Sequence, residues 1–416
     1  MMTTNTTAPN KRSASYAWVV VALLWGVALL NYMDRQMLST MREAMQGDIA
    51  ELQSARSFGF LMAIFLYIYG FTSPVAGAVA DRISRKWLIV GSLLVWSAVT
   101  YGMGMTTSFN QLLWLRALMG VSEALYLPAG LALITDYHTG RTRSLAIGIH
   151  MTGLYAGQAL GGFGATVAAT YSWHTAFHWF GITGIVYAFV LMLFLKDSGK
   201  NVAPVAAKPE KIPLVNGLVS LFSTMAFWVI LFCFAAPSLP GWATKNWLPT
   251  LFAEALHVPM AQAGPMSTIT IAASSFAGVL LGGILSDRWV QKNLRGRVYT
   301  SAIGLGLTIP ALLFLGMGQS LVTVLGAAIC FGVGFGIFDA NNMPILCQFV
   351  PSKLRATAYG FMNMTGVFAG AAVTQLLGRF TDNGTLGSGF AVLGGIVLMA
   401  VLMQLWLLKP RVQNVA

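Results

Sequence analysis

The chain has 416 residues, of which 56% are hydrophobic and only 9% charged, with a formal net charge of +12. A soluble domain carries about 25% charged residues, so this chain cannot clothe a water-facing surface. It reads as an all-α membrane protein crossing the bilayer many times.

Met1–Ser15 is polar and carries Lys11 and Arg12 just ahead of the first apolar run. The run that follows is too long for a signal peptide and contains Asp34-Arg35. It is expected to be a retained first helix behind a disordered tail over 1–16. Apolar runs of spanning length fall at 17–41, 58–80, 87–106, 110–136, 144–169 and 176–196. A second set falls at 216–238, 266–286, 298–317, 320–349, 354–378 and 386–408, which gives twelve spans. In the seventh, Pro237, Pro240 and Pro249 predict a break, and Lys245 lies beyond its start. The expected domains are a six-helix bundle over 17–196, a polar linker over 197–215, a second bundle over 216–408 and a tail over 409–416.

Alternate loops and the two termini hold 19 of the 25 Lys and Arg residues. Under the positive-inside rule this places both termini in the cytoplasm. The net charge is thus a topology signal, and no basic-aromatic surface points to nucleic acid. The three cysteines, Cys233, Cys330 and Cys347, lie in apolar stretches without metal-ligand spacing. His174 and His178 have i,i+4 spacing, but a lone pair is weak evidence for metal, and an amphipathic boundary role fits them better.

The halves repeat. Gly77-Ala-Val-Ala-Asp81-Arg82 answers Gly283-Ile-Leu-Ser-Asp287-Arg288; Met151-Thr-Gly153 with Ala156-Gly157 answers Met364-Thr-Gly366 with Ala369-Gly370. Glu123-Ala124 with Pro128 answers Asp339-Ala340 with Pro344. Two internal repeats around a midplane site are transporter architecture.

The first span contains Asn31-Tyr32-Met33-Asp34-Arg35. A charge there costs roughly 2.5–3.5 kcal/mol on insertion scales, so such residues face a bundle interior or a cavity and mark a pathway. Arg stays charged and offers a planar fork that fits a carboxylate. Buried acids are drawn toward their neutral form, which suits Asp34 and Glu123 to loading and releasing protons. A purely structural pairing of Asp34 or Glu123 with arginine is the alternative. Arg116 and Glu123 are about two helical turns apart and cannot touch directly. Adjacent positions on a helix are rotated by about 100°, so Arg35 could face a solute while Asp34 faces the fourth span or another partner. Gln158, Asn341, Asn342 and Asn363 supply neutral donors and acceptors suited to hydroxyls, or to bonds between helices. Asp339 could be a second proton site or a partner for Lys245. Lys245 could add a second cationic contact or sit at the membrane boundary.

Gly77-x-x-x-Asp81-Arg82-Ile83-Ser84-Arg85-Lys86 resembles the loop signature of the major facilitator superfamily. The resemblance implies two six-helix bundles and a gating role for Gly77, Asp81 and Arg82, repeated at Asp287 and Arg288. Asn31-Tyr32-x-Asp34-Arg35, Arg116-x-x-x-Gly120-x-x-Glu123-Ala124 with Pro128, and Trp247-Leu248-Pro249 look like the anion:cation symporter family within it. That likeness implies proton-coupled symport of organic anions, with sugar acids such as hexonates and hexuronates as the expected class. Arg35 would then hold the carboxylate, with Tyr32, Tyr69, Gln158, Asn342 and Asn363 around the solute. Asp34 and Glu123 would carry protons, whereas Asp339 departs from the family pattern and is a candidate proton site only as the repeat mate of Glu123. No cofactor is expected, and the coupling ion is expected to be H+. In the fifth span Gln158 replaces the central proline of an antiporter motif, which favours symport.

A spinster-like lysolipid transporter shares part of this pattern and is the alternative, as is an exchanger without proton coupling. An enzyme is disfavoured: there is no H-E-x-x-H, no P-loop and no nucleophile–base set. The expected setting is the inner (plasma) membrane of a bacterium, as a monomer among lipids, taking a small organic anion.

Overall fold

The computed structural model describes residues 11–80, 83–138, 142–198, 219–351 and 354–410. Among these the long helices are α1 (Lys11–Leu38), α2 (Ala55–Ala80), α3 (Arg85–Met103), α4 (Phe109–Tyr137), α5 (Arg143–Gly161) and α6 (Trp173–Phe194). They continue as α7 (Met225–Leu256), α8 (Met260–Val290), α9 (Gly296–Met317), α10 (Leu321–Asp339), α11 (Arg355–Asp382) and α12 (Leu386–Leu407). Short helices Arg42–Met45, Gly164–Thr170 and Asn342–Phe349 fill three connections. Most of the expected linker, and residues 1–10 and 411–416 of the tails, lie outside the described residues. The first helix begins at Lys11 rather than at 17, because Lys11–Tyr16 contains neither Gly nor Pro to stop it.

Among the described residues ten stretches are long and apolar enough to cross a membrane. Trp114, Leu193, Val322 and Trp406 are among the large apolar side chains left exposed, as a lipid-facing surface requires. The helices α5 and α11 are not among those ten. Both are rich in Gly and polar residues, and both lie where the halves meet: α11 packs on α2, and α5 on α8. Within each half, α1 packs on α5 and α7 on α11, α3 on α6 and α9 on α12, so the sequence repeat is also a packing repeat.

Serine starts several helices. The hydroxyls of Ser84, Ser108, Ser172 and Ser320 each accept from a backbone N–H in the first turn of α3, α4, α6 and α10. Such caps are worth about 1 kcal/mol each.

Three expected boundaries differ. The run 144–169 divides after Gly161, where Gly162 meets the backbone of Gly264 in the other half: a Cβ at Gly162 would lie 2.8 Å from the Gly264 carbonyl oxygen. The run 320–349 divides at Asp339-Ala340-Asn341, whose side chains compete with the helix for its own polar groups. There Asn341 Nδ2 donates to the Ile337 carbonyl at 2.8 Å. Conversely, α7 does not break; it runs through all three prolines. A proline leaves the carbonyl four residues earlier without its partner, and membrane helices tolerate this when a neighbour supplies one. Pro249 frees the Lys245 carbonyl, which accepts from Gln36 Nε2 of α1 at 2.7 Å. Pro265 of α8 likewise frees the Ala261 carbonyl, which accepts from Thr166 Oγ1 at 2.8 Å.

Both of those bonds join the halves, and they lie at one end of the bundle. At the same end Thr268 Oγ1 donates to the Ala159 carbonyl at 3.0 Å. Asp382, closing α11, accepts from the N–H groups of Ala55 and Arg56 at 2.6 and 3.0 Å and from Ser54 Oγ at 2.8 Å. Toward the opposite end the described contacts between α2 and α11 are apolar, with Phe368 against Phe71 and Tyr67. The bundle is closed at the end that carries the 38–55 connection.

Candidate functional site

In the last turn of α1, Arg35 Nε lies 2.5 Å from Glu123 Oε2, with the arginine side chain 13% exposed and the glutamate 0%. Asn31 Nδ2 donates to the same oxygen at 2.9 Å. The other oxygen, Oε1, is buried with no hydrogen-bond partner among the described residues. The guanidinium also lies over three rings, with Cζ 5.1 Å from Tyr32, 4.8 Å from Phe65 and 4.8 Å from Tyr69. Such contacts add roughly 0.5–2 kcal/mol each, most when desolvated. The far face of this cluster holds Arg116, whose Cζ is 4.8 Å from the Phe65 ring. Gly120 makes the cluster possible, because a Cβ there would lie 2.7 Å from the Phe65 carbonyl oxygen. Its absence lets α4 bring Glu123 against α1 and α2.

Asp34 and Arg35 do project apart, and Asp34 has a partner other than the fourth span, while Arg35 departs from the expectation of a solute-facing group. It is Arg35 that faces α4, while the buried Asp34 turns to α3 and accepts from Thr100 Oγ1 at 3.3 Å. Asp34 Oδ1 has no partner among the described residues.

Beside this cluster a cavity of about 340 Å³, continuous with open solvent, is lined almost wholly by the second half. Its walls include Trp242, Lys245, Asp339, Asn342, Tyr359 and Asn363, while Tyr32 and Met151 come from the first half. Four expected site residues therefore line it: Tyr32, Asp339, Asn342 and Asn363. Tyr69 is buried against Arg35, and Gln158 is buried on α5; neither is among its lining residues. The Tyr32 ring separates cavity from cluster, lying 5.1 Å from Arg35 Cζ and 5.7 Å from Lys245 Nζ.

Lys245 thus lines the cavity, with Nζ 4.7 Å from the Trp242 ring. A sequence signal pointed to it: Lys245 is the sole charge between Leu214 and Ala253. Thr100, Phe65, Trp242 and Tyr359 gave no comparable signal, since a lone hydroxyl or aromatic in an apolar span is usually packing.

Of the residues expected to gate, Gly77 lies in α2, and Asp81 and Arg82 fall outside the described residues. The described remainder of that loop is tied to its own half. Arg85 pairs with Asp136, Ser84 Oγ donates to Asp197, and Lys86 N–H donates to Asp197 Oδ1 at 3.1 Å. In the second copy Asp287 pairs with Arg297 at 3.5 Å, and Arg288 is exposed. The two histidines of α6 pack on rings, His174 on Trp173 and His178 on Tyr101.

A family model described as the Major Facilitator Superfamily matches residues 24–374. The chain belongs to that superfamily. This facilitator is 24% identical over 415 residues to the hexuronate transporter of Bacillus subtilis (strain 168), covering 94% of each chain. It is 25% identical over 392 residues to the 3-(3-hydroxy-phenyl)propionate transporter of Escherichia coli (strain K12), covering 93% of each. The crystal structure of a bacterial homolog to the human lysosomal transporter Spinster, inward-facing and unoccupied, shares the facilitator fold. That match has a TM-score of 0.75 at 20% identity and covers 95% of both chains. Relatives named for a hexuronate and for an aromatic acid agree with the likeness to organic-anion symporters, and neither they nor the fold describes an enzyme.

Proposed function

We propose that this facilitator is a proton-coupled symporter of small organic anions, with sugar acids such as hexonates and hexuronates as its substrate class. It works by alternating access, with twelve crossings and both termini in the cytoplasm of a bacterial cell. In that orientation the closed end faces outward and the cavity opens inward. The observation that carries the reading is the buried Arg35–Glu123 contact at 2.5 Å, separated from a polar cavity by a single ring.

The chemistry follows from that contact. A buried ion pair is stable only while both partners stay paired. A carboxylate arriving from the cavity competes with Glu123 for the Arg35 fork. When it wins, Glu123 loses its cation, and the anion is compensated if a proton adds at the free Oε1. Departure of the anion returns Arg35 to Glu123 and expels the proton. Binding of anion and proton are then mutually favourable, which is what symport requires. Tyr32, Asn342 and Asn363 would read hydroxyls, Tyr69 would hold Arg35 in place, and Asp34 and Asp339 would be further protonatable groups. Gly77, Asp81, Arg82, Asp287 and Arg288 would gate the inward face.

Uptake of a hexuronate into proteoliposomes tests the reading. An inward proton gradient should drive accumulation, and Arg35→Ala should abolish it. Glu123→Gln should keep exchange of labelled for unlabelled solute while losing gradient-driven accumulation. Loss of both in Glu123→Gln, with the protein still folded, would overturn the assignment of Glu123.

A further inference from the structure

Laid over one another, Asn31-Tyr32-Met33-Asp34-Arg35-Gln36-Met37-Leu38 of α1 and Gly241-Trp242-Ala243-Thr244-Lys245-Asn246-Trp247-Leu248 of α7 correspond position by position. Each has an aromatic residue three places before the cation, an amide directly after it and a leucine three places after. The packing agrees with this register. Gly153 of α5 would meet Ala28 of α1 with a Cβ, and its repeat mate Gly366 would meet Ser238 of α7. Lys245 is therefore the equivalent of Arg35, as Asp339 is of Glu123, and each half carries one cation and one acid at matching places.

The two pairs differ in state. Arg35 touches Glu123 directly, whereas among the described residues Lys245 forms no ion pair and its ammonium donates to no protein acceptor. It rests instead on the Trp242 and Tyr32 rings. An ammonium has three donors to satisfy, and ring faces satisfy none of them fully. From the neighbouring elements, the group of opposite charge that faces it is Asp339 of α10, whose Oδ1 accepts from Asn342 Nδ2 at 3.1 Å. From α1 come the Tyr32 ring and Gln36, the latter bonded to the Lys245 carbonyl and not to its ammonium.

We infer that Lys245 is a second anion-binding centre of this cavity, and that an entering carboxylate pairs with its ammonium in competition with Asp339, the acid that faces it without pairing to it. Because the ammonium lines the cavity and Arg35 does not, the carboxylate meets Lys245 first and then reaches Arg35 past the Tyr32 ring. The inference rests on reading the cavity as the transport site. Asp339 is on this account a competitor of the substrate, so removing its charge strengthens binding.

The test uses the full chain in nanodiscs with two probes, iodide and D-glucuronate. Iodide reports the anion centre without any substrate, through quenching of the Trp242 fluorescence obtained as the difference between the parent protein and Trp242→Phe. Lys245→Met should remove that quenching and weaken glucuronate binding by roughly 10-fold to 100-fold, the scale of one charged hydrogen bond. Lys245→Arg should retain both. Asp339→Asn should increase both, and combining it with Lys245→Met should give no gain over Lys245→Met alone. Unchanged quenching in Lys245→Met, or a loss in Asp339→Asn as large as in Lys245→Met, would overturn the inference. Quenching that depends on Lys245 in a protein that binds no sugar acid would keep this centre and remove the sugar-acid reading. Glucuronate uptake that survives Lys245→Met unaltered would do the reverse.

Discussion

The closed end depends heavily on one carboxylate. Asp382 of the second half accepts from two backbone N–H groups and one hydroxyl at the start of α2 in the first half, so it acts as a helix cap supplied by the other domain. Arg42 stands 4.0 Å away, and the Asp382 side chain is 32% exposed. An exposed pair at that distance contributes at most about 1 kcal/mol. A lost cap costs about 0.5–2 kcal/mol, and the favourable charge at a helix N-terminus adds about 0.3–1 kcal/mol. Asp382→Ala should therefore shift the balance between closed and open by about 1–3 kcal/mol, or 5- to 150-fold. Because the contact exists only when this end is closed, the shift favours opening. Nitroxide labels at the exposed positions Glu51 and Asn383 would report it by pulsed electron resonance as a new, longer distance. Asp382→Asn, which keeps one acceptor oxygen, should give an intermediate population. A distance distribution unchanged in Asp382→Ala, in protein with parental thermal stability, would refute the argument.

Pro249→Ala restores an N–H that competes with Gln36 for the Lys245 carbonyl, so it should loosen the same end; the same label pair should show the longer distance gaining population. Gly120→Ala should destabilise by about 1–3 kcal/mol through overpacking on α2, lowering the unfolding temperature in detergent. Gly91→Ala, with nothing within 4 Å of the added methyl, should not lower it. Thr100→Val leaves a buried Asp34 oxygen without its donor, an expected loss of about 1–3 kcal/mol visible in the same melt. Asp34→Asn combined with Thr100→Val should recover part of that loss.

Much of the fold was legible because membrane burial demands long apolar runs and a repeat leaves its offsets in the chain. What was not legible depended on contacts between distant segments. The three prolines of α7 predicted a break, and only the position of Gln36 on another helix shows why Pro249 does not make one. The charged residues Asp34, Arg35 and Glu123 announced a site, yet which of Asp34 and Arg35 faces α4 depends on how α1 is rotated against its neighbours. Arg35 turned to Glu123 of α4, and Asp34 found its partner in Thr100 of α3. The cavity walls were least visible: Trp242 and Tyr359 are ordinary aromatic residues in apolar spans, and Lys245 stood out only as an unaccompanied charge.

The central claim is that the Arg35–Glu123 pair takes up a proton together with each carboxylate it admits. It is tested most directly with a pH dye sealed inside proteoliposomes that start with equal pH on both sides and a clamped membrane potential. Adding hexuronate outside should acidify the interior at the rate at which labelled hexuronate enters, and Glu123→Gln should remove the acidification. Hexuronate entry without acidification in the parent protein would contradict the account.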